Sequence, residues 1–152
     1  MCTISEMKAR VEGVLDTVLS LAGECMMQNN EQIVALLVHQ QYDEGVDSFG
    51  NPLPQYRPAY SVMKYKLTGR GQKADLNLTG EFQAGIELRV DEESNIYQLD
   101  SPAQTEDGEL KSEWLAKWAD APIMDLTDEN KKEAWLIILP DFVDKVKELL
   151  EA

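Results

Sequence analysis

Apolar residues recur at three- and four-residue steps towards both ends of this chain, but at two-residue steps in one place, where Ile86, Leu88 and Val90 alternate with Glu87 and Arg89. A single stretch of strand periodicity can build no more than a small sheet, so helices must supply most of any core. The alternating run leads through Asp91-Glu92-Glu93-Ser94 into a second run at 95–99. That order predicts an antiparallel hairpin with one apolar face and an acidic, solvent-exposed turn.

The helical segments follow from stripes and caps. Thr3-Ile4-Ser5-Glu6 fits a capping box, in which the hydroxyl and the carboxylate satisfy each other's free backbone N–H groups. Ile4, Met7, Val11, Val14, Leu15, Val18, Leu21, Ala22 and Cys25 then form one apolar stripe, about six turns long and expected to pack on the core. Asn29-Asn30 is placed to cap a second helix over 31–43, and Gly45 to end it in the left-handed conformation. Pro58 opens a short amphipathic helix to residue 67, because proline suits the first helical position. A short extended segment at 76–80 follows, and Thr79 is expected to cap a single turn over 81–84. Leu110, Trp114, Leu115 and Trp118 share helical spacing, with both indoles expected against the core. Thr127 caps a last helix that meets Pro140, where a kink or a restart at Asp141 is expected.

The expected fold class is α+β, with N-terminal helices, a small antiparallel β-sheet made by the hairpin, and C-terminal helices. At 152 residues the chain is the size of one domain, able to bury about 70% of its unfolded surface. Its parts are a helical stretch at 1–44, a turn-rich connector at 45–80, the hairpin at 81–100 and closing helices at 109–152.

Charge is distributed unevenly. Residues 1–50 carry two basic and eight acidic side chains, 51–90 carry six and three, 91–130 carry two and twelve, and 131–152 carry four and five. A net charge of −14 speaks against sequence-specific nucleic-acid binding, since affinity for phosphate backbones comes from clustered Lys and Arg. The basic middle set among acidic segments predicts self-complementarity, one subunit's middle meeting the acidic face of the next. No apolar run approaches a membrane span and no signal peptide is visible, so the chain is expected to be made in the cytoplasm, without a membrane partner.

Several chemistries find no residues to carry them. Cys2 and Cys25 fall on one helix about 35 Å apart, too far for a disulfide, and His39 is the one histidine, with no zinc spacing around it. Asp43, Glu44, Asp47 and Asn51 lack the order of a calcium loop. Thr68-Gly69-Arg70-Gly71-Gln72-Lys73 lacks the order of a phosphate loop and reads as a flexible connector. Catalysis requires a nucleophile with its base, paired carboxylates, a metal cluster or a cofactor loop. None is legible, so the chain is expected not to be an enzyme and to use no metal or cofactor.

The central tract carries a resemblance. Gln41-Tyr42, Gly45-Val46-Asp47-Ser48-x-Gly50, Leu53, Tyr56, Tyr60, Lys64, Gly71, Asp75-Leu76 and Leu78-Thr79-Gly80-x-Phe82 stand in an order that resembles small virion proteins of tailed phages, especially phages of gut Bacteroidetes. The overall plan is similar to the tail-completion and neck proteins of the head-tail connector region. The resemblance implies a non-enzymatic structural protein located in the virion, in the neck or tail region. It would form a homo-oligomeric ring, six- or twelvefold, and dock neighbouring phage neck and tail proteins. Contacts are then expected from the loop and the basic segment, through Asp47, Phe49, Asn51, Tyr56, Arg57, Tyr60, Lys64, Arg70, Lys73, Thr79 and Phe82. Two rival readings remain from the charge: an acidic DNA-mimic inhibitor or adaptor that binds a basic partner protein, and an enzyme built on scattered carboxylates.

Overall fold

The computed structural model describes residues 3–71, 73–77, 80–91 and 96–151. Cys2, the Thr79 cap and the hairpin turn around 92–95 lie outside the described residues. The elements run α1 (Ile4–Gln28), α2 (Asn30–His39), a π-helical turn (Gln40–Glu44), α3 (Pro58–Thr68), α4 (Glu81–Ala84), β1 (Glu87–Asp91), β2 (Ile96–Asp100), α5 (Lys111–Ala119) and α6 (Asp128–Glu151). The fold is α+β, with helices before and after one two-stranded antiparallel sheet.

Local signals set most boundaries. The capping box at Thr3 and Glu6 is formed, and the Glu6 N–H donates to the Thr3 hydroxyl at 3.1 Å. Asn29 stands between the two helices: its side-chain amide closes α1 by donating to the Cys25 carbonyl at 2.8 Å, whereas α2 is opened by its backbone carbonyl, which accepts the Ile33 N–H at 3.1 Å, and not by a side-chain cap. The second helix changes character at Gln40. There the chain widens into a π turn that Gly45 terminates at φ 64°. In the hairpin Leu88 faces Leu99 across the strands and both are buried, while Arg89 lies outside against Glu87 at 2.6 Å.

Two apolar clusters form the interior. The larger joins Cys25 of α1, Ile33 and Leu37 of α2, Ile86, Leu88 and Leu99 around the hairpin, and Leu126, Ala134 and Ile138 at the start of α6. The smaller joins Leu53, Ala74, Leu76, Phe82, Ala119 and Ile123, and Met124 packs against both. Helix α6 continues through Pro140 as one element, so of the two expectations the restart at Asp141 does not occur. Pro140 and Leu136 are both exposed, so water can satisfy the Leu136 carbonyl that proline leaves without a helical donor.

The N-terminal stripe departs most from expectation. Its C-terminal half packs, with Gly23 and Cys25 buried and Lys145 of α6 3.0 Å from Glu24. Every residue from 4 to 17 is exposed, Ile4 at 86% and Val11 at 67%. Period alone says that a face needs a cover and not which element supplies it.

Gly45 illustrates how tightly the central tract is set. Its φ of 64° is left-handed, and a Cβ there would stand 2.6 Å from the Ala74 carbonyl oxygen. Gly45→Ala is therefore expected to lower stability by at least ~1–2 kcal/mol, read as a fall in the urea midpoint with the slope unchanged.

Candidate functional site

Several of the residues that carry the sequence resemblance, Tyr56, Lys64 and Leu76 among them, converge on one carboxylate. Asp75 is buried, and its Oδ1 accepts from the Lys64 ammonium and, at 3.1 Å, from the Asn77 N–H. Its backbone carbonyl accepts from Gln83 Nε2 at 2.9 Å, and its N–H donates to the Tyr56 hydroxyl at 3.2 Å. The same hydroxyl accepts the Leu76 N–H at 3.1 Å, holding Leu76 at the left-handed φ of 56° instead of the extended conformation expected there. Such a backbone costs roughly 1–3 kcal/mol and persists where its surroundings over-determine it. Arg70 Nε stands 3.2 Å from Asp75 Oδ2. That contact has ion-pair distance without hydrogen-bond alignment, so Oδ2 is a buried acceptor lacking a hydrogen bond.

Lys64 owes its burial to this arrangement. Helix α3 starts at Pro58 and ends at Gly69 in the left-handed conformation, which points Lys64 inward with its ammonium 5.3 Å from the centre of the Tyr56 ring. Tyr56 also stacks on Trp118 at 5.4 Å and meets Tyr60 edge-on at 4.9 Å. Burial pushes the Tyr56 hydroxyl pKa up, offset in part by the two backbone N–H groups it accepts. Gly71 is close-packed under α3, where a Cβ would collide with the Ser61 carbonyl oxygen.

A glutamine layer ties this knot to the rest of the fold. At the π turn two successive residues, Gln40 and Gln41, point inward, and both are fully buried. Gln41 donates to the Ile123 carbonyl at 2.8 Å and accepts from Gln83 at 3.3 Å. Gln40 donates to the Asp125 carbonyl at 3.0 Å and accepts from the Thr127 N–H and from Asn130. Sequence reasoning named Gln41 only within the resemblance and passed over Gln40, Gln83 and Asn130, because a buried amide looks like a solvated one in sequence and a π turn carries no signature that distinguishes it from a helix end.

The proposed contact residues therefore divide. Asp47, Lys64 and Phe82 are buried, and Asp47 is engaged within its own loop, accepting the N–H groups of Phe49 at 2.8 Å and Asn51 at 3.0 Å. Tyr56 and Tyr60 are half-buried in the knot. The segment at 68–73, read as a flexible connector, is anchored among its described residues. Arg70 lies 3.9 Å over the Tyr42 ring and donates to the Tyr42 carbonyl at 2.9 Å, and Lys73 donates to the Asp43 carbonyl at 2.9 Å. Phe49, Asn51, Arg57 and Lys73 are exposed, Phe49 at 73%. Of the two indoles expected inside, Trp118 is half-buried and Trp114 is exposed.

Two surfaces stand outside the knot. One is a cleft of about 950 Å³, with Phe49 on its lining, carrying Asp43, Glu44, Asp125, Asp128 and Glu129 against Lys73 and Lys131. Its loop is fixed by the Ser48 N–H donating to the Pro122 carbonyl at 2.9 Å and by the Asp125 N–H donating to the Ser48 hydroxyl at 3.0 Å. The other is the outer side of α3, where Val62, Met63, Tyr65 and Leu67 are exposed beside Lys66. Among the described residues no cluster of His, Cys, Asp or Glu is arranged to hold a metal ion, and no helix is long and apolar enough to cross a membrane. Comparison with protein-family models, curated proteins and solved structures finds no match to this chain.

Removing one charge of the buried pair should expose its energetics. Lys64→Met alone is expected to cost ~3–5 kcal/mol, because it leaves a buried carboxylate without its main cation. Lys64→Met with Asp75→Leu should recover at least half of that loss in a urea double-mutant cycle.

Tyrosine ionisation gives a second test. With its folded pKa above the ordinary value of about 10, Tyr56 contributes stability that is present below pH 10 and lost as pH rises through the folded value. Alkaline titration at 295 nm should show its phenolate appearing together with unfolding.

Proposed function

We propose that this chain is a non-enzymatic structural protein of a tailed-phage virion, a subunit of a neck or tail-completion ring that docks adjacent ring proteins. The observation that carries this reading is the presence of two unlike exposed surfaces with complementary character. The cleft is acidic with an exposed phenyl ring on its lining, whereas the outer side of α3 is apolar and basic, with Arg57 at its start and Lys66 near its end. A head-to-tail ring requires two different patches on one subunit, each fitted to the other. Seating α3 of one copy in the cleft of the next places Lys66 among carboxylates and Tyr65 against Phe49, the aromatic-centred, charge-rimmed composition of protein interfaces.

The sequence resemblance supports the same reading in an indirect way. Part of it, namely Gln41, Tyr56, Tyr60, Lys64, Gly71, Asp75 and Leu76, lies in or against the internal knot, and the knot links α3 to the π turn from which the loop of Phe49 departs.

Mass measurement tests the proposal. The purified chain is expected to form closed species of sixfold or twelvefold mass, and the same chain to be present in particles. Tyr65→Glu with Lys66→Glu should reduce the assembly to its smallest unit, and salt at 0.5 M should weaken the wild type by screening the cleft. A chain that forms nothing larger than a dimer, is absent from particles and captures a basic DNA-binding protein would instead be the acidic mimic.

A further inference from the structure

The exposed half of α1 is a third, separate surface. Ile4, Met7, Val11, Val14, Val18, Leu21 and Cys25 alternate steps of three and four without a break, the seam along which one helix packs on another at a shallow angle. In the C-terminal half α6 fills that seam. Glu24 meets Lys145 and Asn29 meets Asp141, each at 3.0 Å, so α6 runs antiparallel to α1. Over residues 4–17 no described element covers it, and Met7, Val14 and Leu15 join Ile4 and Val11 as exposed side chains. An isolated helix of that length is marginal in water and draws most of its stability from a packed face.

We propose that the occupant is a second copy of this chain, laying its own residues 4–17 antiparallel along the seam. Three observations select this partner. A helix in that direction continues the course α6 already takes, so seam and packing geometry carry on unchanged, with Ile4 of each copy against Val14 of the other and Met7 against Val11. The segment carries Lys8 and Arg10 against Glu6, Glu12 and Asp16, a net charge of −1 in a chain of −14. It is thus a stretch where two copies of an acidic protein meet with little repulsion. In the antiparallel alignment each flank reads acid, base, base, acid, which brings every cation within a turn of a carboxylate from the other copy. Finally, the apolar side chains offer on the order of 500 Å² per copy, as much as the largest and often functional patch of a typical monomer, and together roughly the 1,000 Å² floor of a biological interface, which suits a weak pair.

This pair is isologous and independent of the α3 and cleft contacts, so either can fail without the other. The test is sedimentation of the full chain carrying Tyr65→Glu and Lys66→Glu, which removes the ring contact. A dimer with a dissociation constant in the micromolar range is expected. Val11→Glu should weaken it at least tenfold, while Ala9→Glu, the same change of charge on the outer side of α1, should leave it intact. Because residue 11 stands clear of the core, the near-ultraviolet circular dichroism of Val11→Glu should match the parent. In a Cys2→Ser background, Ile4→Cys with Val14→Cys should oxidise to a covalent dimer and neither single variant should. A monomer at all concentrations, or a dimer indifferent to Val11→Glu, overturns the proposal, and efficient cross-linking of Ile4→Cys alone overturns the antiparallel arrangement.

Discussion

The buried pairing of Lys64 with Asp75 decides how the middle of this chain is arranged. The described residues of 45–80 contribute few apolar anchors to the interior, chiefly Leu53, Ala74 and Leu76. So short a list leaves many collapsed arrangements of similar burial. A matched charge pair removes that degeneracy, since any arrangement that buries one partner alone costs several kcal/mol. Compared with an apolar pair of the same volume the net stabilisation is small. Its physical effect is selection: α3 must lie where Lys64 reaches Asp75, and the chain after α3 must return under it, through Gly71.

That selection propagates through amides rather than through packing. Asp75 is bonded to Gln83, Gln83 to Gln41 and Gln41 to the Ile123 carbonyl, while Gln40 next to it reaches Asp47, Asp125, Thr127 and Asn130. Each glutamine satisfies backbone groups of segments that would otherwise be buried without partners, an omission that costs about 1–3 kcal/mol per group. Both glutamines extend the buried face of α2: Ile33, Leu37, Gln40 and Gln41 stand at i, i+4, i+7 and i+8, positions that share one side of a helix, so two adjacent amides point inward as the chain passes into the π turn.

Legibility in the sequence followed the range of the interaction. The capping box at Thr3, proline at the start of α3, Gly45 in the left-handed region, the Thr127 cap and the Leu88 and Leu99 face of the hairpin are decided within a few residues, and each was readable. Lys64 was not, because a lysine on a helix reads as solvated unless its partner is known, and Asp75 lies eleven positions away across a turn. Asn29 was ambiguous between ending one helix and starting the next, and only the Cys25 carbonyl in its reach decides which its side chain does. At Pro140 the sequence left a kink and a restart both open, and continuity of the helix depends on whether water reaches the orphaned carbonyl, a property of the assembled surface. Among the candidate contacts, the basic middle of the sequence proved to be part surface and part scaffold: Lys64 and Arg70 converge on Asp75, leaving Arg57, Lys66 and Lys73 facing out.

The same division bears on how an acidic protein can assemble at all. Fourteen excess negative charges oppose any close approach of copies unless the contacts fall where charge is balanced or opposite. The outer side of α3 and the exposed half of α1 meet that condition, the first by being basic and the second by being nearly neutral. Of the two contacts we propose, one joins unlike surfaces and would propagate around a ring; the other joins like surfaces and would pair one subunit with another across a twofold axis. On that proposal a molecule carrying both has the elements of a closed ring and of its doubling, and ring closure would depend on the angle between α3 and the cleft, which the Asp75 knot sets from inside the fold.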